Sequence, residues 1–138
     1  MGSMITRSGP QSQTRRVVVL EPQLLFVPHL VTSLEASGCR VIGTMPSVDE
    51  ATLASLSPDV VFVDIGTSET ASSFATLRRL RQAVPRARLV VYGGTSSPTW
   101  RATAWAQGVD EVLTDRDGIP EFVEAAHSAF FEPIPTPW

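Results

Sequence analysis

Short, unbroken apolar runs alternate along this chain with longer segments in which apolar positions return at helical spacing. Val17-Val18-Val19-Leu20 is the first run, and its lack of polar interruption predicts a strand buried on both faces, as in a parallel sheet. Leu24, Val27, Val31 and Leu34 then set a helix over 24–36, with Gly38 as its C′ stop. Pro28 fits this helix if it starts near Leu25, because in a first turn the missing N–H has no partner to lose. Arg40–Thr44 is a second strand. Ser47 as N-cap with Glu50 three residues on predicts a capping box for the next helix. Ser57-Pro58-Asp59 turns the chain into a third strand, Val60–Val63, which ends at Asp64. A helix over 71–84 carries Phe74, Leu77, Leu80 and Val84 on one side and stops at Pro85. Leu89–Tyr92 is a fourth strand, and Gly93–Ser97 reads as a flexible connection. Pro98 suits the first position of a helix running to Gln107 and closed by Gly108. Val109–Thr114 gives a fifth strand and Ile119–Phe130 a last helix.

Five strand-helix units with short connections predict an α/β fold, a flavodoxin-like (βα)5 doubly wound parallel sheet of strand order 2-1-3-4-5. Residues 1–14 are polar and aperiodic and read as a disordered tail, in which Met1-Gly2-Ser3 looks like an expression scar before Met4. The folded domain is expected over 15–131. The proline-rich 132–138 reads as a linker or C-terminal end.

Composition narrows the function classes. With 138 residues, 43% of them hydrophobic and 18% charged, the chain suits one domain with one core. A formal net charge of −3 gives no broad footprint for nucleic acid or an anionic membrane. All eleven cations are arginine; Arg78, Arg79 and Arg81 cluster where the negative end of a helix dipole lies, and read as a solvated helix end. Cys39 is the only cysteine, which excludes a disulfide within the chain. With His29 and His127 as the only histidines, no metal centre is expected. No apolar stretch reaches the length of a membrane span and the start has no signal-peptide core, so the cytoplasm is the expected compartment.

Two strings carry a resemblance. Pro58-Asp59-Val60-Val61-Phe62-Val63-Asp64 is similar to the phosphoacceptor strand of bacterial response-regulator receiver domains. Gly108-Val109-Asp110-Glu111-Val112-Leu113-Thr114 is similar to that family's fifth strand without its terminal lysine. The likeness spans roughly Arg16 to Phe130 and implies that Asp64 occupies the phosphoacceptor position. The family's other parts are altered. Where it has two acids that hold Mg²⁺ after the first strand, this chain has Glu21-Pro22. Its Ser/Thr switch after the fourth strand corresponds to Gly93, with Thr95 as a substitute two residues on. Its switch aromatic corresponds to Val112, its lysine to Asp115, and the proline after that to Arg116. Glu21, Asp64 and Asp115 are expected to converge at the carboxyl edge of the sheet, where they hold a divalent cation or, the preferred reading, carry one raised pKa.

These changes make a phosphorylated state costly. An acyl phosphate adds about two negative charges, and a like-charge pair about 4 Å apart at an effective dielectric near 20 costs on the order of 4 kcal/mol. Arg116 is the one nearby cation able to offset this. The resemblance therefore implies an atypical pseudo-receiver. It is not an enzyme, needs no cofactor, and signals without phosphorylation through a protein partner or a homodimer, regulating an attached or partner transcription module. The expected contact face is made by the fourth helix, fifth strand and fifth helix, with Trp100, Arg101 and Trp105 as candidate residues; the alternative for both indoles is core. Neither membrane nor direct nucleic-acid binding is expected. The second reading is phosphorylation of Asp64 by a histidine kinase, for which Mg²⁺ is required. A flavodoxin is excluded because Glu21-Pro22-Gln23-Leu24 is no phosphate loop. A cobalamin site lacks its loop histidine, since His29 falls in a helix, and a hydrolase lacks a base near Thr67 or Ser68. His127 is expected to be a partly exposed helix residue far from this edge.

Overall fold

The computed structural model describes residues 14–21, 27–46, 48–64, 71–92, 98–114 and 117–128. Five strands, β1 (Arg16–Leu20), β2 (Arg40–Met45), β3 (Val60–Asp64), β4 (Arg88–Tyr92) and β5 (Glu111–Val112), alternate with five helices. These are α1 (Val27–Ala36), α2 (Glu50–Leu56), α3 (Ala71–Ala83), α4 (Pro98–Ala106) and α5 (Ile119–Ser128). The sheet order is β2-β1-β3-β4-β5 and every pairing is parallel, as the alternating pattern requires. One register irregularity separates Val17 from Val18 in the β1–β2 pair.

Strand alternation sorts the core into two layers. Val17, Val19, Phe62 and Val90 pack with Leu30 and Leu34 of α1 and Phe122, Ala125 and Ala126 of α5. Val18, Val61, Val63, Leu89 and Val91 pack on the other face with Leu53 of α2, Leu77 and Leu80 of α3, and Trp100 and Ala104 of α4. The central strands β1, β3 and β4 are thus covered on both sides, which is why their sequences carry no polar alternation.

Several boundaries differ from the pattern-based reading. Helix α2 begins at Glu50, and its N-cap is Asp49, whose carboxylate accepts the Thr52 N–H at 3.1 Å. Glu50 turns outward to Arg79 at 2.6 Å instead of closing a capping box with Ser47, a residue outside the described ones. Half of such a box occurs at α5, where Gly118 N–H donates to Glu121 Oε1 at 2.7 Å. Strand β5 is only Glu111–Val112, short of the expected 109–114. It lies at the sheet edge, where one neighbour supports it. Pro28 falls in the first turn of α1, and Gly38 and Gly108 take positive φ where α1 and α4 end.

Arg81 is the largest departure. It is no solvated helix end. Its guanidinium donates to the carbonyls of Gly108 (2.9 Å), Val84 (2.7 Å) and Ala87, and pairs with Asp110 at 3.0 Å. The stem crosses so close to Gly108 that a Cβ there would lie 2.5 Å from Arg81 Cδ.

Candidate functional site

The carboxyl ends of β1, β3 and β4 finish at one level. Leu20 pairs with Val63 and Asp64 with Tyr92, so Glu21, Asp64 and Tyr92 terminate three adjacent strands side by side. Alternation aims Glu21, Asp64 and Tyr92 toward the face covered by α1 and α5, in step with Val19, Phe62 and Val90. Tyr92 is buried there, with its ring edge-on to Phe122 at 4.8 Å between centroids, and Phe122 stacks on Phe62 at 5.5 Å.

The Tyr92 hydroxyl donates to Glu21 Oε1 at 2.5 Å. Glu21 is 3% exposed, the single buried charged residue among those described. A carboxylate taken out of water demands donors, and the phenol supplies one that is charge-assisted. The titration of Tyr92 is pushed far above its ordinary 10.0, first by burial, then by the Glu21 hydrogen bond and charge, and then by the charge of Asp64. Removing the phenolic proton would place three anions together. Tyr92 thus carries a raised pKa at this edge.

Asp64 is half-buried at the end of β3. Val112 of β5 pairs with Val91 of β4 and packs against the layer containing Trp100. Gly93, Thr95, Asp115 and Arg116 lie outside the described residues. The residue that β4 brings to Asp64 is Tyr92, one position before the Gly93 to which the family's switch corresponds. Just past β5, Asp117 accepts from Thr114 N at 2.7 Å and from its hydroxyl at 3.3 Å, while its own N–H returns to Thr114 O at 3.0 Å.

Mg²⁺ favours octahedral oxygen ligands, typically one or two carboxylates with waters. The residues here do not fit that demand. Glu21 is buried with an oxygen committed to the phenol, and the neighbouring Pro22 has no side-chain ligand atom. Among the described residues no group of three or more His, Cys, Asp or Glu is placed to hold a metal.

The aromatic residues of α4 part company. Trp100 is 1% exposed and belongs to the core with Phe74, at 6.5 Å between ring centroids, so it forms no part of the candidate contact face. Trp105 is 51% exposed, the one large hydrophobic residue so exposed among those described. Arg101, one turn before it, is half-buried.

A second polar cluster closes the opposite end of the sheet. Ser37 Oγ donates to Leu34 O at 2.7 Å, leaving its oxygen to accept from His127 Nε2 at 2.9 Å; Cys39 Sγ lies 3.7 Å from the same nitrogen. Arg15 donates to the His127 carbonyl at 2.9 Å. Burial pushes the Cys39 thiol up, more than the Ser37 hydrogen bond and Arg15 pull it down. A hydroxyl whose proton is committed to a carbonyl, beside a protonated thiol, is a tie between α1 and α5 and not an activated nucleophile.

With this geometry fixed, the solved structures most like it are informative. A response regulator from Thermotoga maritima superposes with a TM-score of 0.71 at 20% identity, covering 84% of this chain and 97% of that one. This is the receiver fold. An orphan response regulator of H. pylori matches with a TM-score of 0.69 at 16% identity, over 85% of this chain and 97% of the other. A protein described as pilus assembly-related, from Burkholderia pseudomallei, matches at 0.67 and 17% identity, over 84% and 89%. No family model and no curated protein matches the chain. No helix among the described residues is long and apolar enough to cross a membrane. At these identities the receiver fold is shared with proteins of differing roles, so the particulars of the acidic edge decide how this one works.

Proposed function

We propose that this chain is a receiver-fold signalling module that conveys its message by protein contact, without a phosphoryl group on Asp64. The observation that carries the reading is the buried Glu21 carboxylate held by Tyr92 beside Asp64. The acid that would serve a cation is already engaged, and the chain contains no lysine to balance an acyl phosphate. The partner is a second protein or another copy of the chain, and the output is an attached or partner module such as a transcription regulator. Support for a contact face comes from Trp105, exposed on α4 with Arg101 one turn away; tryptophan and arginine are the residue types most enriched where binding energy concentrates. In this reading the module has no catalytic role and touches no nucleic acid directly.

One observation favours the second reading, phosphorylation of Asp64: its carboxylate ends β3 half-buried, not sealed in the core. Acetyl phosphate with Mg²⁺ separates the two. Intact-mass spectrometry is expected to show an unmodified chain after incubation. A stoichiometric phosphoryl adduct, lost in Asp64→Asn, would establish the second reading in place of the first.

A further inference from the structure

We infer that Tyr92 is the residue that keeps divalent cations out of this acidic edge, and that removing it uncovers a hard-cation site shared by Glu21 and Asp64. The inference rests on the proposed function above and supplies its physical cause. A Mg²⁺ or Mn²⁺ ion needs carboxylate oxygens at about 2.0–2.1 Å and approaches as a hydrated cation. Here the phenolic oxygen lies 2.5 Å from Glu21 Oε1, a short hydrogen bond on the oxygen a cation would have to take. The hydroxyl donates to that oxygen. It therefore occupies a carboxylate oxygen that a cation would need.

The tyrosine also cannot step aside cheaply. Its ring stands edge-on to Phe122, which stacks on Phe62 of β3 and closes the layer beneath α1 and α5. Swinging the phenol outward would open that layer and break the hydrogen bond to a buried carboxylate. Two acids stand at adjacent strand ends, and the buried one already has an oxygen taken by the phenol. Cation exclusion is thus set by one side chain, and it is separable from the absence of lysine.

The test is a calorimetric titration with MnCl₂ on the whole chain, comparing wild type, Tyr92→Phe and Tyr92→Thr, each checked for fold by circular dichroism. Wild type is expected to give a flat trace. Both variants are expected to show saturable Mn²⁺ binding that wild type lacks, the smaller threonine binding more tightly, and adding Glu21→Gln is expected to abolish it. Should Tyr92→Thr not fold, Tyr92→Phe decides, because it keeps the ring on Phe122 and removes only the hydroxyl. Folded variants that bind no better than wild type would overturn the inference, as would a gain that survives Glu21→Gln or a wild type that binds as tightly as its variants. Those failures are distinct from failure of the proposed function, which is read separately as a phosphoryl adduct on the wild-type chain.

Discussion

Replacing Trp100 by alanine is expected to cost about 3–5 kcal/mol of folding stability, whereas the same change at Trp105 stays within about 0.5 kcal/mol. Both residues lie on α4, yet Trp100 is 1% exposed and Trp105 is 51% exposed. Trp100 fills the layer between α3, α4 and the sheet, in the cluster with Leu77, Leu80, Ala104 and Val109, and its indole faces Phe74. Ala104 is small, so nothing on its own helix can close the cavity that truncation leaves, and the loss combines transfer and cavity contributions. Trp105 is half exposed, so truncating it removes little buried surface and leaves no cavity. Equilibrium urea unfolding of the two variants checks this. A Trp100→Ala loss of about 1 kcal/mol or less, ordinary for any point substitution, would mean that the α4 packing described here is wrong.

Arg81→Ala is the second large effect, at about 2–3 kcal/mol. One guanidinium ends α3 at the Val84 carbonyl, reaches the Ala87 carbonyl just before β4, and spans to Gly108 O and Asp110 ahead of β5. Asp110 in turn accepts the Leu89 N–H at 2.8 Å, so the same ion pair fixes the start of β4 against β5. Alanine would leave three half-buried carbonyls and a carboxylate to find water. Lysine should restore only part of the loss, because a single ammonium cannot reproduce the planar fork. Chevron or equilibrium denaturation of Arg81→Ala and Arg81→Lys reads the difference. Stability of Arg81→Ala within about 0.5 kcal/mol of wild type would reduce the clamp to a surface decoration.

The layers and strand order were legible from the apolar runs, because β1, β3 and β4 are covered on both faces and show it as unbroken Val/Leu/Phe. The helix stops at Gly38 and Gly108 were legible for the same local reason: both need positive φ. What failed was long-range. Arg81 looks like its exposed neighbours Arg78 and Arg79 until α4 and β5 are brought over it. Glu50 fits a capping box on spacing, but Arg79 from a later helix competes for it and Asp49 takes the cap. Trp100 and Trp105 are alike in type and only the helix phase against the sheet separates them.

The acidic edge was half legible. Asp64 announces itself by ending an apolar strand, and Glu21 by following one. Tyr92 sends the same signal, as the only tyrosine in the chain and the last residue of the fourth strand. The family resemblance points instead one residue on, to Gly93. Only the parallel register, which sets Tyr92 against Asp64, reveals that a phenol stands at the acids.

The central claim is that the Tyr92 hydroxyl is locked onto Glu21, and the chain's single tyrosine makes that claim directly measurable. Its folded-state pKa is raised above the unfolded value of 10.0. The stability it contributes is therefore complete below that pH and declines as pH rises beyond it, by about 1.4 kcal/mol per pH unit while only the unfolded chain ionises. The decisive measurement is tyrosinate absorbance followed upward from neutral pH, with circular dichroism recorded on the same sample. The expected result is no tyrosinate until the fold is lost, and then both signals changing together. A smooth ionisation centred near pH 10.0 in a chain that is still folded would contradict the account.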